Sequence, residues 1–450
     1  MKTYLTVLVF GLLGCFLFFT NQYEVNQLTG YLRIEGCDRF KEPLPRQFSE
    51  YKKKILPKKS YPNKSYLSIN DLYISEGLSI SGQGLIDLPQ AYFKNINCIN
   101  GLSLSNNTLD NIPTAIKDLN QLQSLNLDKN FIKNIPIVFF ENNPNLERVT
   151  LSENSFTQLP LPYFSDLKFY DLSNNSIKDV FKDEVSENTQ IEYINLAHNS
   201  LIKIPLALAA VQNLKDVNLS NNKIAELYSL NDYDVLFEDL NTLNLSNNSL
   251  RILPLGMSNA PQLEYLDLKN NKLVGQVHLK DYYRLKEINL NNQIISSVTL
   301  EGTYNLNKVE AARNKLSYLE LLNSFEKLSH LDLRENEFDA IPNLTNAPNL
   351  EYLNLSMNYL KDKLGWKNIS HIKKVNLSYN QLNQITSLSS QLNVEAKIED
   401  LDLSSNRIRI LNLNHLPISL QKLDISNNVI SKVRGTKKLP NLSILKINTN

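Results

Sequence analysis

Seven side chains invite a chemical reading. Phe169, Tyr193, His198, Tyr265, Tyr352, Met357 and Tyr379 stand where the surrounding sequence mostly places small polar residues. The chemistry they suggest is binding, because interface energy concentrates on large, rigid side chains. Phe169, Tyr193 and His198 form one group along the chain, Tyr352, Met357 and Tyr379 a second, and Tyr265 lies between them. Contact with a protein or a glycan explains such residues, and packing of neighbours against each other explains them equally well.

Bond-making chemistry finds no such footing. The five histidines, His198, His278, His330, His371 and His415, include no pair at a metal-ligand spacing such as HExxH. The phosphate-binding patterns GxxxxGK[ST] and GxGxxG do not occur, and neither does the GxSxG nucleophile elbow. Asp and Glu are plentiful but fall at positions where a solvent-facing charge is ordinary. The expectation is a non-enzymatic protein without metal or cofactor. A net charge of +1 over 450 residues offers no field for nucleic acid. The charge is uneven, with eleven Lys or Arg against five Asp or Glu in residues 1–70. The run "YKKKILPKKSYPNK" (51–64) reads either as a contact for anionic lipid or as solvated linker.

What positions the seven side chains is a repeat. "LNTLNLSNNSLRILP" (240–254) is followed 23 positions on by "LEYLDLKNNKL" (263–273), with Leu, Leu, Leu, Asn and Leu in matching places. Along LxxLxLxxNxL the Asn position is taken by Asn107, Asn130, Asn154, Asn175, Asn199, Asn222, Asn248, Asn271, Asn314, Asn336, Asn358, Asn380, Asn406, Asn428 and Asn450, and by Gln83 and Gln293. These seventeen positions lie 21 to 26 residues apart. In each unit the alternation xLxLx predicts a short strand with its leucines on one face. One coil cannot bury its own leucines, whereas stacked coils bury them in a continuous ladder. The Asn then turns the chain, its amide satisfying backbone donors and acceptors inside the turn.

These residues resemble the leucine-rich repeat family, whose period is 20 to 29 residues. The resemblance implies an α/β leucine-rich repeat solenoid, a horseshoe with a parallel β-sheet on its concave face. Short helices, 3-10 turns and loops are expected on the convex face. Three coils continue as LPxxxF: Leu88-Pro89 with Phe93, Ile135-Pro136 with Phe140, and Leu159-Pro160 with Phe164. That subtype is similar to repeats of extracellular receptors and bacterial surface proteins. Its Pro starts a turn, and its Phe fills the widened back of the core. The weak strand "VEAARN" (309–314), with Ala311 in place of Leu, and the neighbouring Gln293 suggest a change of curvature.

The concave face presents a polar, mildly acidic stripe. Its exposed strand position holds Asn126, Asn195, Asn218, Asn244, Asn289, Asn354 and Asn376 in seven coils, and Asp171, Asp267, Asp332, Asp402 and Asp424 in five. For any one of these, plain solvated sheet competes with a ligand contact.

The expected organisation is a signal peptide or membrane anchor over 1–20, an N-terminal cap and basic linker over 21–74, and about 17 repeats over 75–450. The run from Tyr4 to Phe19 is apolar after a single Lys, as in export signals. Leu12-Leu13-Gly14-Cys15 resembles the lipobox of bacterial lipoproteins, which implies lipidation at Cys15. A retained anchor, lipidation and ordinary cleavage all remain open, and each places the chain at the cell envelope or surface. Cys37 and Cys98 either pair as a disulfide or are unrelated thiols. The sequence stops at Asn450 partway through a coil, so either a fragment or an edge covered by a partner is expected. The function implied is recognition, adhesion or scaffolding through a protein or glycan partner. A self-associating envelope protein and an intracellular scaffold are the alternatives.

Overall fold

The computed structural model describes residues 77–88, 99–161, 164, 166–178, 190–205, 208, 211, 213–225, 237–253, 260–361, 369–385 and 396–450, with the backbone of 5–10 and 14–19. Contacts divide the chain into two units, Met1–Leu201 with Pro205–Val217, and Ile202–Ile204 with Asn218–Asn450.

The first unit carries six three-residue strands, Gly77–Ser79, Gly101–Ser103, Ser124–Asn126, Arg148–Thr150, Phe169–Asp171 and Tyr193–Asn195, paired in parallel and in register. The second repeats the device through ten, from Thr242–Asn244 and Tyr265–Asp267 to Lys422–Asp424 and Ile444–Lys446. The central residue of the strands from Gly101–Ser103 to Lys422–Asp424 is buried in the core, while Leu445 of the last strand is exposed. Leu102, Leu125, Leu331 and Leu353 are fully buried, and Tyr170 takes the same place with its hydroxyl donating to the Pro160 carbonyl at 3.0 Å. Burial pushes the Tyr170 phenol well above its usual range.

Two fully local requirements close every turn after the strand. The residue before each ladder amide has a left-handed backbone, from Asn106 at φ 56° to Asn427 at φ 53°. The ladder amide then clamps two coils together. Asn248 donates to Leu219 O (2.9 Å) and Leu245 O (3.0 Å) and accepts from the Ile224 N–H (2.9 Å). Asn130 makes the same three bonds to Leu104, Leu127 and Leu109. Gln293 keeps this chemistry with a longer arm, accepting from the Leu273 N–H at 3.1 Å and donating to Leu268 O. The expected turn-holding role of the Asn positions is therefore observed.

The back of the coils differs from expectation. Among the described residues there is no α-helix, and 3-10 segments occur at Thr114–Asp118 and Leu413–His415. Instead, Val274–Lys280, Ile294–Glu301 and Tyr318–Leu321 form a second, three-stranded parallel sheet. The sequence reason is plain in retrospect: Val277 and Leu279, Val298 and Leu300, and Leu319 and Leu321 alternate with polar residues, the period of a strand. A shorter pair, Ile410–Asn412 with Lys432–Arg434, recurs later. This sheet distinguishes the coils around Gln293. Their strand Lys308–Glu310 pairs in register with both neighbours, and Ala311 is fully buried.

Phe140 and Phe164 fill the back of the first unit as the LPxxxF pattern predicts, stacked at 5.0 Å. Phe93, Cys37 and Cys98 lie outside the described residues, and with them the disulfide expectation. Leu5–Phe10 and Gly14–Phe19, the latter containing Cys15, pair as antiparallel strands. Among the described residues no helix is long and apolar enough to cross a membrane.

Candidate binding face

Each strand of the main sheet presents its first and third residues on the side away from the core. The two columns do different work.

The third column is built for the turn. All twelve of Asn126, Asn195, Asn218, Asn244, Asn289, Asn354, Asn376, Asp171, Asp267, Asp332, Asp402 and Asp424 accept the backbone N–H two residues on through their side-chain oxygen, at 2.8–3.1 Å. This is the Asx-turn, which only a short side chain with an acceptor can make. Asn354 is 5% exposed and Asp332 9%. The stripe taken as a free polar surface is thus largely spent on its own backbone. Burial, the largest influence on each, raises the carboxyls of Asp267 and Asp332.

The first column holds the rings. In the first unit Phe169 and Tyr193 occupy facing positions on adjacent strands and stack at 4.4 Å with 6° between their planes. The Arg148 guanidinium lies 3.5 Å from the Phe169 ring centre on the strand before. The result is a three-layer stack of guanidinium, phenyl and phenol along the sheet. Such contacts are worth about 0.5–1.5 kcal/mol each beyond burial, and they hold the rings rigid. Burial, then the carboxylates of Asp171 and Asp216, raise the Tyr193 hydroxyl.

In the second unit Tyr352 stacks on His330 at 4.3 Å and 11°. Burial first, and then the Lys308 ammonium, hold the His330 imidazole below its ordinary value, so the ring is neutral at neutral pH. Tyr265, 40% exposed, borders a groove of about 220 Å³ with Asp267, Glu287, Lys308 and Glu310. Burial opposes ionisation of Glu310, but the Lys308 ammonium 2.5 Å away outweighs it and holds the carboxyl below the usual range.

Sequence reasoning named Phe169, Tyr193, Tyr265 and Tyr352 as candidates and did not name Arg148 and His330, which stack against Phe169 and Tyr352. The signal was available, since all six stand at the first strand position. His198, Met357 and Tyr379 belong elsewhere. They occupy the left-handed slot of the turn, at φ 56°, 56° and 53°, so the structure separates Met357 and Tyr379 from Tyr352 and places His198 apart from the Phe169 stack. Met357 and Tyr379 are 45% and 55% exposed. A bulky side chain there strains the backbone, whereas Asn does not. Met357→Asn and Tyr379→Asn are each expected to raise stability by roughly 0.5–1 kcal/mol. Denaturant titration of the single variants checks this, and a loss of stability would show that these side chains pack rather than project.

Among the described residues no cluster of His, Cys, Asp or Glu is arranged to hold a metal. The arrangement offers rigid rings and flanking charge on an extended sheet.

Coils, ladder amides and paired strands together define the class: the chain folds as a leucine-rich repeat solenoid. The leucine rich repeat family model matches residues 76–132 and 120–169. Human Toll-like receptor 5 is 31% identical over 153 residues, which is 30% of this chain and 17% of the receptor. The chain therefore spans well under a fifth of that relative's length. A leucine-rich repeat protein of Leptospira interrogans shares the fold with a TM-score of 0.61 at 22% identity, covering 85% of this chain and all of that one. Drosophila Toll, solved as the Toll–Spatzle complex, has a TM-score of 0.66 at 19% identity over 83% of this chain and 57% of the other.

Proposed function

We propose that the chain is a non-enzymatic recognition protein of the cell surface, held at the membrane through its N-terminal segment, which binds a protein partner through the exposed sheet face of either unit. The observation that carries this reading is the pair of ring stacks, Arg148–Phe169–Tyr193 and His330–Tyr352. Each is partly exposed and already ordered, so a partner meets aromatic area without an entropic cost for arranging it. Toll, of the same fold, forms a complex with Spatzle, which makes a protein the first class of partner to test, ahead of a glycan. The alternatives of an envelope scaffold or an intracellular one do not need exposed rings on the sheet.

With a partner recovered on the wild-type chain, Tyr193→Ala and Tyr352→Ala are each expected to weaken binding by at least about 1 kcal/mol, roughly fivefold. Unchanged affinity in both variants would remove this face from consideration. The membrane part of the reading is tested separately, by intact mass and fractionation of the protein from its own cells. A lipidated species beginning at Cys15 supports it, and a soluble protein retaining Met1 overturns it.

A further inference from the structure

We propose that the outer edge of the back strand Tyr318–Leu321 is a docking site for an extended segment of a protein partner, which adds to the three-stranded sheet as a fourth parallel strand. The back strands run in the order Val274–Lys280, Ile294–Glu301, Tyr318–Leu321, so the last of them uses one edge for its neighbour. The Leu322 N–H donates to Leu300 O at 3.0 Å along that paired edge. Because backbone groups alternate in direction along a strand, the main-chain groups of Leu319 and Leu321 point to the other side.

The next coil does not take up that edge. It is fastened at one end by the Glu337 N–H to Leu316 O (2.9 Å) and at the other by the Asn346 amide to Leu321 O (2.6 Å). Between these points no main-chain hydrogen bond joins 317–320 to 338–343. The segments part around a cleft of about 370 Å³. Pro342 stands in the facing segment and has no N–H to give, so the facing segment cannot extend the ladder there.

The chemistry of the occupant follows from the walls. Phe338 and Ile341, both buried, line the cleft on the inner side, and Glu320 and Asp339 stand at its rim. A segment that alternates β-branched apolar residues facing inward with a basic residue facing Glu320 satisfies both. Main-chain bonds supply the affinity, and the alternate side chains supply the selection.

The test uses the full chain and a fluorescein-labelled pentapeptide, Ac-Thr-Val-Lys-Val-Thr-amide, read by fluorescence anisotropy. In a parallel ladder the peptide residues that bond to Leu319 are those whose side chains lie on the outer face with Glu320. N-methylation of the central lysine is therefore expected to weaken binding at least about tenfold, and N-methylation of the preceding valine to leave it nearly unchanged. Glu320→Gln is expected to weaken the unmodified peptide several-fold. Equal or reversed sensitivity to the two methyl groups overturns strand addition. So does the lack of saturable binding up to about 1 mM, the weakest affinity a short added strand would be expected to show.

Discussion

Asn271→Ala is expected to destabilise the second unit by about 2–4 kcal/mol, measured as a shift of the denaturant midpoint. Asn271 is 8% exposed and joins the backbone of two successive coils. Its amide donates to Leu245 O at 2.9 Å and to Leu268 O at 2.8 Å, and its oxygen accepts from the Leu250 N–H at 3.0 Å. The two carbonyls each keep a second partner after truncation, Asn248 for Leu245 and Gln293 for Leu268. The Leu250 N–H loses its acceptor in a buried turn, and an orphaned buried donor costs about 1–3 kcal/mol by itself. The two lost donations add the rest. Asn271→Gln is the control, because Gln293 shows the longer amide bonding the Leu268 carbonyl and the Leu273 N–H of the coil before it. It should retain a good part of the stability. A cost below about 0.5 kcal/mol for Asn271→Ala would mean that leucine packing, and not the amide ladder, holds the coils together.

Phe164→Ala is expected to cost the first unit about 3–5 kcal/mol, the range for emptying a buried aromatic site. Phe164 is 1% exposed, stacks on Phe140 at 5.0 Å and meets Tyr170 edge-on at 5.6 Å. These rings come from three successive coils and fill the space that the LPxxxF repeat opens behind the sheet. The tight stack leaves little room for collapse, since Tyr170 is held by its bond to Pro160 O. Thermal or denaturant unfolding measures the cost. A loss under about 1 kcal/mol would show that neighbouring side chains flow into the vacated space.

Both predictions concern features legible in the linear sequence, and the reason is the same for each. The ladder Asn bonds its own coil and the one before it, so each repeat restates it, and the LPxxxF Phe recurs in the three coils that carry that motif. The Asn that precedes or follows them is equally local: Asn106, Asn174, Asn221, Asn247 and Asn270 supply the left-handed turn, and Asn244 or Asp267 the Asx bond. Read one coil at a time, that third-position column looked like free surface. Its bond to a backbone N–H two residues away is invisible until the turn is built.

The short helices expected behind the sheet give way over 274–321 to a second set of strands, for a related reason. Val277, Val298 and Leu319 do alternate with polar neighbours, yet a three-stranded sheet exists only when three successive returns run alongside one another. A single return segment carries no such information. Helical turns and loops remain the better expectation for any one coil considered alone.

The sequence by itself determined the coil, its period, the inward leucines and the amide ladder, because these are set by contacts within about one turn of chain. Only the tertiary structure decided which side chains share a site. Arg148, Phe169 and Tyr193 are more than twenty residues apart in sequence and become layers of one stack only because parallel strands pair in register. His330 joins Tyr352 by the same rule, while Met357, close to Tyr352 along the chain, and Tyr379, one coil on, stand in the left-handed slot of the turn instead.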